Sequence, residues 1–96
     1  MKCCCQTFGP STRKFTADEA KLIGGGLGVD WRAIDIEQFR KGLEVELEHG
    51  CRDPQTNITC DDVLLTGMIA LAHIKEIPDY YTKLKEMEEK TGGQDG

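Results

Sequence analysis

Two tetrapeptides, Glu46-Leu47-Glu48-His49 and His73-Ile74-Lys75-Glu76, each set a carboxylate and an imidazole three residues apart. Residues three apart on an α-helix share a face, so each motif can offer both groups to one neighbour. One reads Glu-x-x-His and the other His-x-x-Glu; two antiparallel helices carrying them could bring Glu46, His49, His73 and Glu76 to similar depth. These four are the donors a divalent metal ion would need in a carboxylate-bridged helical bundle. With Tyr80 beside them they also form a candidate polar site in which an imidazole acts as acid or base near neutral pH and a carboxylate orients it. The competing reading is structural. A buried carboxylate or imidazole is strongly disfavoured unless paired, so a Glu–His contact between helices can exist only to fix their register. Glu-x-x-His arises readily in acidic helices, and Glu44 and Glu48 point away from the Glu46/His49 stripe. The structural reading is therefore favoured, and a complete two-metal centre in one chain is not expected.

Four helical segments must position these groups. Thr16-Ala17-Asp18-Glu19 has the hydroxyl and the carboxylate of a capping box and predicts a helix over 17–27 that packs Leu22, Ile23 and Leu27, with Gly28 as its left-handed terminator. Asp35-Ile36-Glu37-Gln38 repeats the capping logic and predicts a helix over 35–50. Ile36, Phe39, Leu43 and Leu47 form its core stripe, beside a second stripe of Gly42, Val45, Glu46 and His49. A glycine on that second stripe is costly unless another backbone comes close, so the histidine face is a contact face too. Thr59-Cys60-Asp61-Asp62 predicts the start of a third helix reaching Ile77, apolar almost all round and hence central, with Thr66, His73 and Glu76 gathered on one side. Pro78 forces a bend before a fourth helix over 79–90, with Tyr80, Leu84 and Met87 inward. Trp31 should pack under the connection between the first two helices. The expected fold is thus all-α: a compact bundle of about four helices, the third central, over residues 16–91, with a disordered leader at 1–15 and a flexible tail at 92–96.

Charge and composition narrow the functional classes. The 96-residue chain carries 12 Lys+Arg against 17 Asp+Glu, a net charge of −5, which opposes nucleic-acid and anionic-membrane partners. The absence of a long apolar run predicts a soluble, cytoplasmic protein. Five cysteines, three of them contiguous at Cys3, Cys4 and Cys5, lack metal-gripping spacing and are expected to be mostly reduced. Cys51 and Cys60 flank a polar loop and could meet under oxidation, but free thiols are expected in a reducing compartment.

The segments Leu27-Gly28-Val29-Asp30-Trp31, Phe39 to Gly50 and Ala70 to Tyr81 resemble a family of small bacterial and phage proteins of unknown function, domain-of-unknown-function family 5661. The resemblance runs from about Phe15 to Met87. It implies a small helical domain and no activity. The reading that best fits these features is a protein-interaction or regulatory module, monomeric or homodimeric, rather than an enzyme. The alternatives are a metal-binding protein using Glu46, His49, His73 and Glu76 and a His/Glu acid–base enzyme, for which no evident nucleophile, phosphate loop or oxyanion hole is present.

Overall fold

The computed structural model describes residues 14–51 and 53–90. Helix α1 spans Ala17–Gly26, α2 Ile36–Glu46, α3 Val63–Glu76 and α4 Tyr80–Lys90, with 3-10 turns at Leu47–His49 and Pro54–Thr56. Among the described residues there is no strand, and no helix is long and apolar enough to cross a membrane. The expected leader and tail fall largely outside the described residues.

Local sequence sets the helix ends. The Glu19 N–H donates to the Thr16 hydroxyl and the Thr16 N–H to the Glu19 carboxylate, which completes the capping box of α1. At the other end Gly28 takes a φ of +74°. That left-handed step lets the Val29 and Gly28 N–H groups reach the Gly24 and Gly25 carbonyls, closing a Schellman turn. Asp35 caps α2 by accepting from the Gln38 N–H. The cap of α3 is Asp62, whose Oδ1 accepts from the Leu64 and Leu65 N–H groups, and not Thr59 as the sequence suggests. The reason lies in Cys60 and Asp61, whose positive φ values of 55° and 64° hold the chain off a helical path until Asp62. Thr59 is instead buried, and its hydroxyl accepts from the Asp61 N–H.

Helix α3 packs against α1, α2 and α4. The core joins Ala20 and Ile23 of α1, Phe39 and Leu43 of α2, Ala70 and Ile74 of α3 and Tyr81 of α4. Phe15 belongs to it as well, although the sequence places it in the leader; its N–H donates to Glu44, and its carbonyl accepts from Arg40. Trp31 lies where expected, its ring edge-on to Phe39 at 5.6 Å and pressed against Gly24. A Cβ on Gly24 would stand 2.5 Å from the indole, so the glycine that weakens α1 is the one that admits the tryptophan.

Three apolar expectations are corrected. Leu22 is 78% exposed rather than packed, Met87 of α4 faces outward, and α3 is not buried all round, since Leu64, Leu65 and Met68 lie on an open face. With α1, α2 and α4 already packed on the inner side of α3, no element of the described chain is left to cover that face.

Between α2 and α3, Cys51 and Cys60 are joined as a disulfide, contrary to the expectation of free thiols. Hydrogen bonds hold the same loop alongside the bridge. The His49 carbonyl accepts from the Ile58 and Thr59 N–H groups, and the Asp61 carboxylate accepts from the Cys51 N–H. Gly50 sits directly under that carboxylate, where a side chain would have no space.

Candidate functional site

Gly42 decides how closely the helices meet. A Cβ there would lie 2.6 Å from the Tyr81 ring and 2.8 Å from Ala70 Cβ, so its lack of a side chain lets α3 and the start of α4 close on α2. One turn further along the same stripe is Glu46, the last residue of α2, only 3% exposed. His49 ends the 3-10 turn that follows, His73 lies in the last turn of α3, and Tyr80 and Tyr81 open α4. The site is therefore built where two helices end and a third begins.

Burying Glu46 at the carbonyl-rich end of a helix is doubly unfavourable, through desolvation and through the helix dipole. Three groups compensate. The Tyr81 hydroxyl donates to Oε2 at 2.7 Å. His49 Nε2 lies 3.6 Å from Oε1, and His73 Nε2 lies 3.6 Å from Oε2. Those separations are ion-pair distances for a protonated ring and longer than a hydrogen bond. His49 also faces Glu48 at 3.5 Å. Both imidazoles keep about a third of their surface in solvent, so either can exchange protons with water. Tyr80 stacks flat on His73 at 4.5 Å and meets Tyr81 edge-on at 4.9 Å, which fixes the plane of the imidazole.

The structure thus brings together Glu46, His49, His73 and Tyr80 and leaves Glu76 exposed on the flank of α3. The four-ligand set of the metal-binding alternative is not assembled: among the described residues no group of three or more His, Cys, Asp and Glu side chains is placed to hold a metal ion. The physical reason is that the two imidazoles address different oxygens of one carboxylate instead of converging on a common point, while the tyrosine hydroxyl occupies a further lone pair.

Tyr81 is the member that sequence reasoning passed over as a direct partner of Glu46. Burial, reinforced by its hydrogen bond to the Glu46 carboxylate, pushes its phenol far above the ordinary value, so it remains a donor throughout the physiological range. A signal was present in the adjacent pair Tyr80-Tyr81, since two neighbours on a helix face different directions and only one can enter the core. Gln38 was missed too. Its amide oxygen accepts from the Tyr81 N–H and its nitrogen donates to the Thr82 hydroxyl at 2.6 Å, satisfying a backbone donor that the first turn of α4 leaves unpaired.

A family model described as a protein of unknown function, DUF5661, matches residues 20–90. The chain belongs to that family. The matched region contains Gly42, the whole Glu46 cluster and all four helices except the first residues of α1, so the family domain and the folded unit nearly coincide. No curated protein and no solved structure matches the chain.

Proposed function

We propose that this DUF5661 domain is a protein-interaction module whose docking surface is the outer face of α3. The observation that carries this reading is the exposure of Leu64, Leu65 and Met68, at 44%, 44% and 54%, on a helix whose buried side already forms the core. Ala72 continues the same open face. Contiguous apolar surface of this kind on a small domain marks a site where another protein takes the place of water. In this reading the Glu46 cluster is a positioning device. It ties the ends of α2 and α3 to the start of α4 and so holds the docking helix rigid, which limits the ordering entropy lost on binding.

Affinity capture from the native host with wild-type chain and with a Leu65→Glu/Met68→Glu variant tests this, followed by binding measurements with the purified captured protein. The expected result is a partner that binds the wild type and loses at least tenfold in affinity for the variant, while circular dichroism stays the same. Equal binding by both would place the interaction elsewhere and overturn the assignment.

A further inference from the structure

The chain offers α3 two places to begin, one turn apart. Thr59 is a hydroxyl cap followed by Asp61 and Asp62, acids placed where the positive end of a helix favours them. In the structure Asp62 takes the cap instead. Thr59 already makes part of a cap all the same. Its hydroxyl accepts from the Asp61 N–H at 3.1 Å, the bond an N-cap makes two residues on, and its carbonyl accepts from the Asp62 N–H at 2.9 Å. What keeps the helix from starting there is the backbone of Cys60 and Asp61, left-handed at φ 55° and 64°. These two are the only non-glycine residues at positive φ in the described chain, and a Cβ makes that conformation unfavourable.

The Cys51–Cys60 bridge lies at this point. Thr59 is buried, and its N–H and that of Ile58 donate to the His49 carbonyl, so the chain enters the turn from a fixed position. Cys60 is then tied to Cys51 through sulfur, and the Asp61 carboxylate accepts from the Cys51 N–H at 2.9 Å. Residues 60 and 61 are thus both drawn toward Cys51 and not along α3. If they became right-handed, the Leu64 and Leu65 N–H groups, now held by the Asp62 side chain, would pass to the Cys60 and Asp61 carbonyls. The bonds to the His49 carbonyl need not change, because an N-cap residue stays outside the helix. The Cys51 N–H would exchange its carboxylate for water.

We infer that Cys51–Cys60 is a redox switch for the start of α3. Bridged, it holds the start at Asp62; reduced, it releases Cys60 and Asp61 into a further turn that begins at Thr59. Both cysteines are only half-buried, so a small dithiol can reach them. One thiolate of the dithiol attacks a bridge sulfur to form a mixed disulfide, and its second thiol then displaces that sulfur. Two electrons and two protons pass to the cysteines, which become thiols, and the dithiol leaves as a cyclic disulfide. The switch stands without any partner on the outer face of α3, although it moves Leu64 and Leu65 from the first turn of the helix to the second.

NMR of the full chain in dithiothreitol, and again after reoxidation with oxidised glutathione, tests it. Residues 60–62 add too little helix for far-ultraviolet circular dichroism to register, so the readout is local. Reduction should bring up nuclear Overhauser contacts from Cys60 Hα to the Val63 N–H and from Asp61 Hα to the Leu64 N–H. It should also move the φ-dependent couplings of residues 60 and 61 from left-handed to right-handed values, and reoxidation should reverse both changes. Left-handed couplings that persist in the reduced chain would overturn the switch. So would general loss of order over residues 53–62 on reduction, or free thiols at Cys51 and Cys60 after reoxidation.

Two variants separate the backbone switch from simple loosening of the loop. Asp61→Ala and Asp61→Gly remove the same carboxylate but favour opposite conformations, since alanine prefers the helix and glycine tolerates the left-handed turn. In glutathione redox buffers, with alkylation of Cys51 and Cys60 read by peptide mass spectrometry, the bridge of Asp61→Ala should be about fivefold or more easier to reduce than that of Asp61→Gly. In the reduced state Asp61→Ala should show the helical contacts and Asp61→Gly should lose them. Equal reduction constants, or the same contacts in both variants, would overturn the inference.

Discussion

The Tyr81 hydroxyl and the Glu46 carboxylate, 35 residues apart in the chain, meet in a 2.7 Å hydrogen bond inside the core. That contact joins the end of α2 to the start of α4 and gives a buried carboxylate the donor it requires. Removing the hydroxyl without changing the ring isolates its contribution. Tyr81→Phe should destabilise the fold by about 1–3 kcal/mol in chemical denaturation at neutral pH, because Oε2 keeps only the more distant imidazole.

The same pair sets an alkaline limit. The folded-state pKa of Tyr81 is raised, so its contribution is complete below the ordinary tyrosine value near 10. Above that pH the unfolded chain releases a proton that the folded chain retains, and stability falls as pH rises. Denaturation midpoints measured from pH 8 to 11 should decline more steeply above pH ~10 in wild type than in Tyr81→Phe. Parallel curves would show that Tyr81 ionises normally in the fold.

His73 separates a structural contact from a metal ligand. With its ring partly in water, His73→Gln should lower stability by only about 1 kcal/mol. Added Zn²⁺, Mn²⁺ or Fe²⁺ should leave the wild-type melting temperature unchanged. A rise that grows with metal concentration and vanishes in His73→Gln or Glu46→Gln would restore a metal site at this cluster.

Two glycines should respond in opposite directions to the same substitution. Gly42→Ala drives a methyl group into Tyr81 and Ala70 and should destabilise by about 1–3 kcal/mol. Gly25→Ala meets nothing within 4 Å and should stabilise α1 by about 0.4–1 kcal/mol. Thermal melts of the two variants decide this, and a neutral Gly42→Ala would mean that α2 and the Tyr81 ring can move apart freely.

Reduction of the Cys51–Cys60 bridge enlarges the unfolded ensemble. Closing a loop of this length is worth about 2–3 kcal/mol, a loss expected for the Cys51→Ser/Cys60→Ser chain or for wild type in excess dithiol. Because the His49 carbonyl and the Asp61 carboxylate also hold the loop, far-ultraviolet circular dichroism should be preserved. An unchanged denaturation midpoint on reduction would show that these hydrogen bonds alone set the loop.

The sequence by itself determined what local forces control. The Thr16/Glu19 box, the Asp35 cap, the left-handed Gly28 and the 3.6-residue period of Phe39, Leu43 and Leu47 each act within a turn or two of helix, so the elements and most of their ends were legible. The demand of Gly42 for a close neighbour, and the meeting of Glu46 with His49 and His73, were legible too, since a missing side chain and a paired charge both call for a partner. Tertiary structure decided which partner arrived. Tyr81 and not Tyr80 reaches Glu46, because the bend at Pro78 sets the rotation of α4, and no local pattern encodes that rotation. Leu22 and the row Leu64, Leu65 and Met68 carry the same hydrophobic signal as buried neighbours such as Ile23 and Ile74. Periodicity records which residues avoid water, whereas exposure depends on how many helices are present to cover them, and the described residues form too few to cover the outer face of α3.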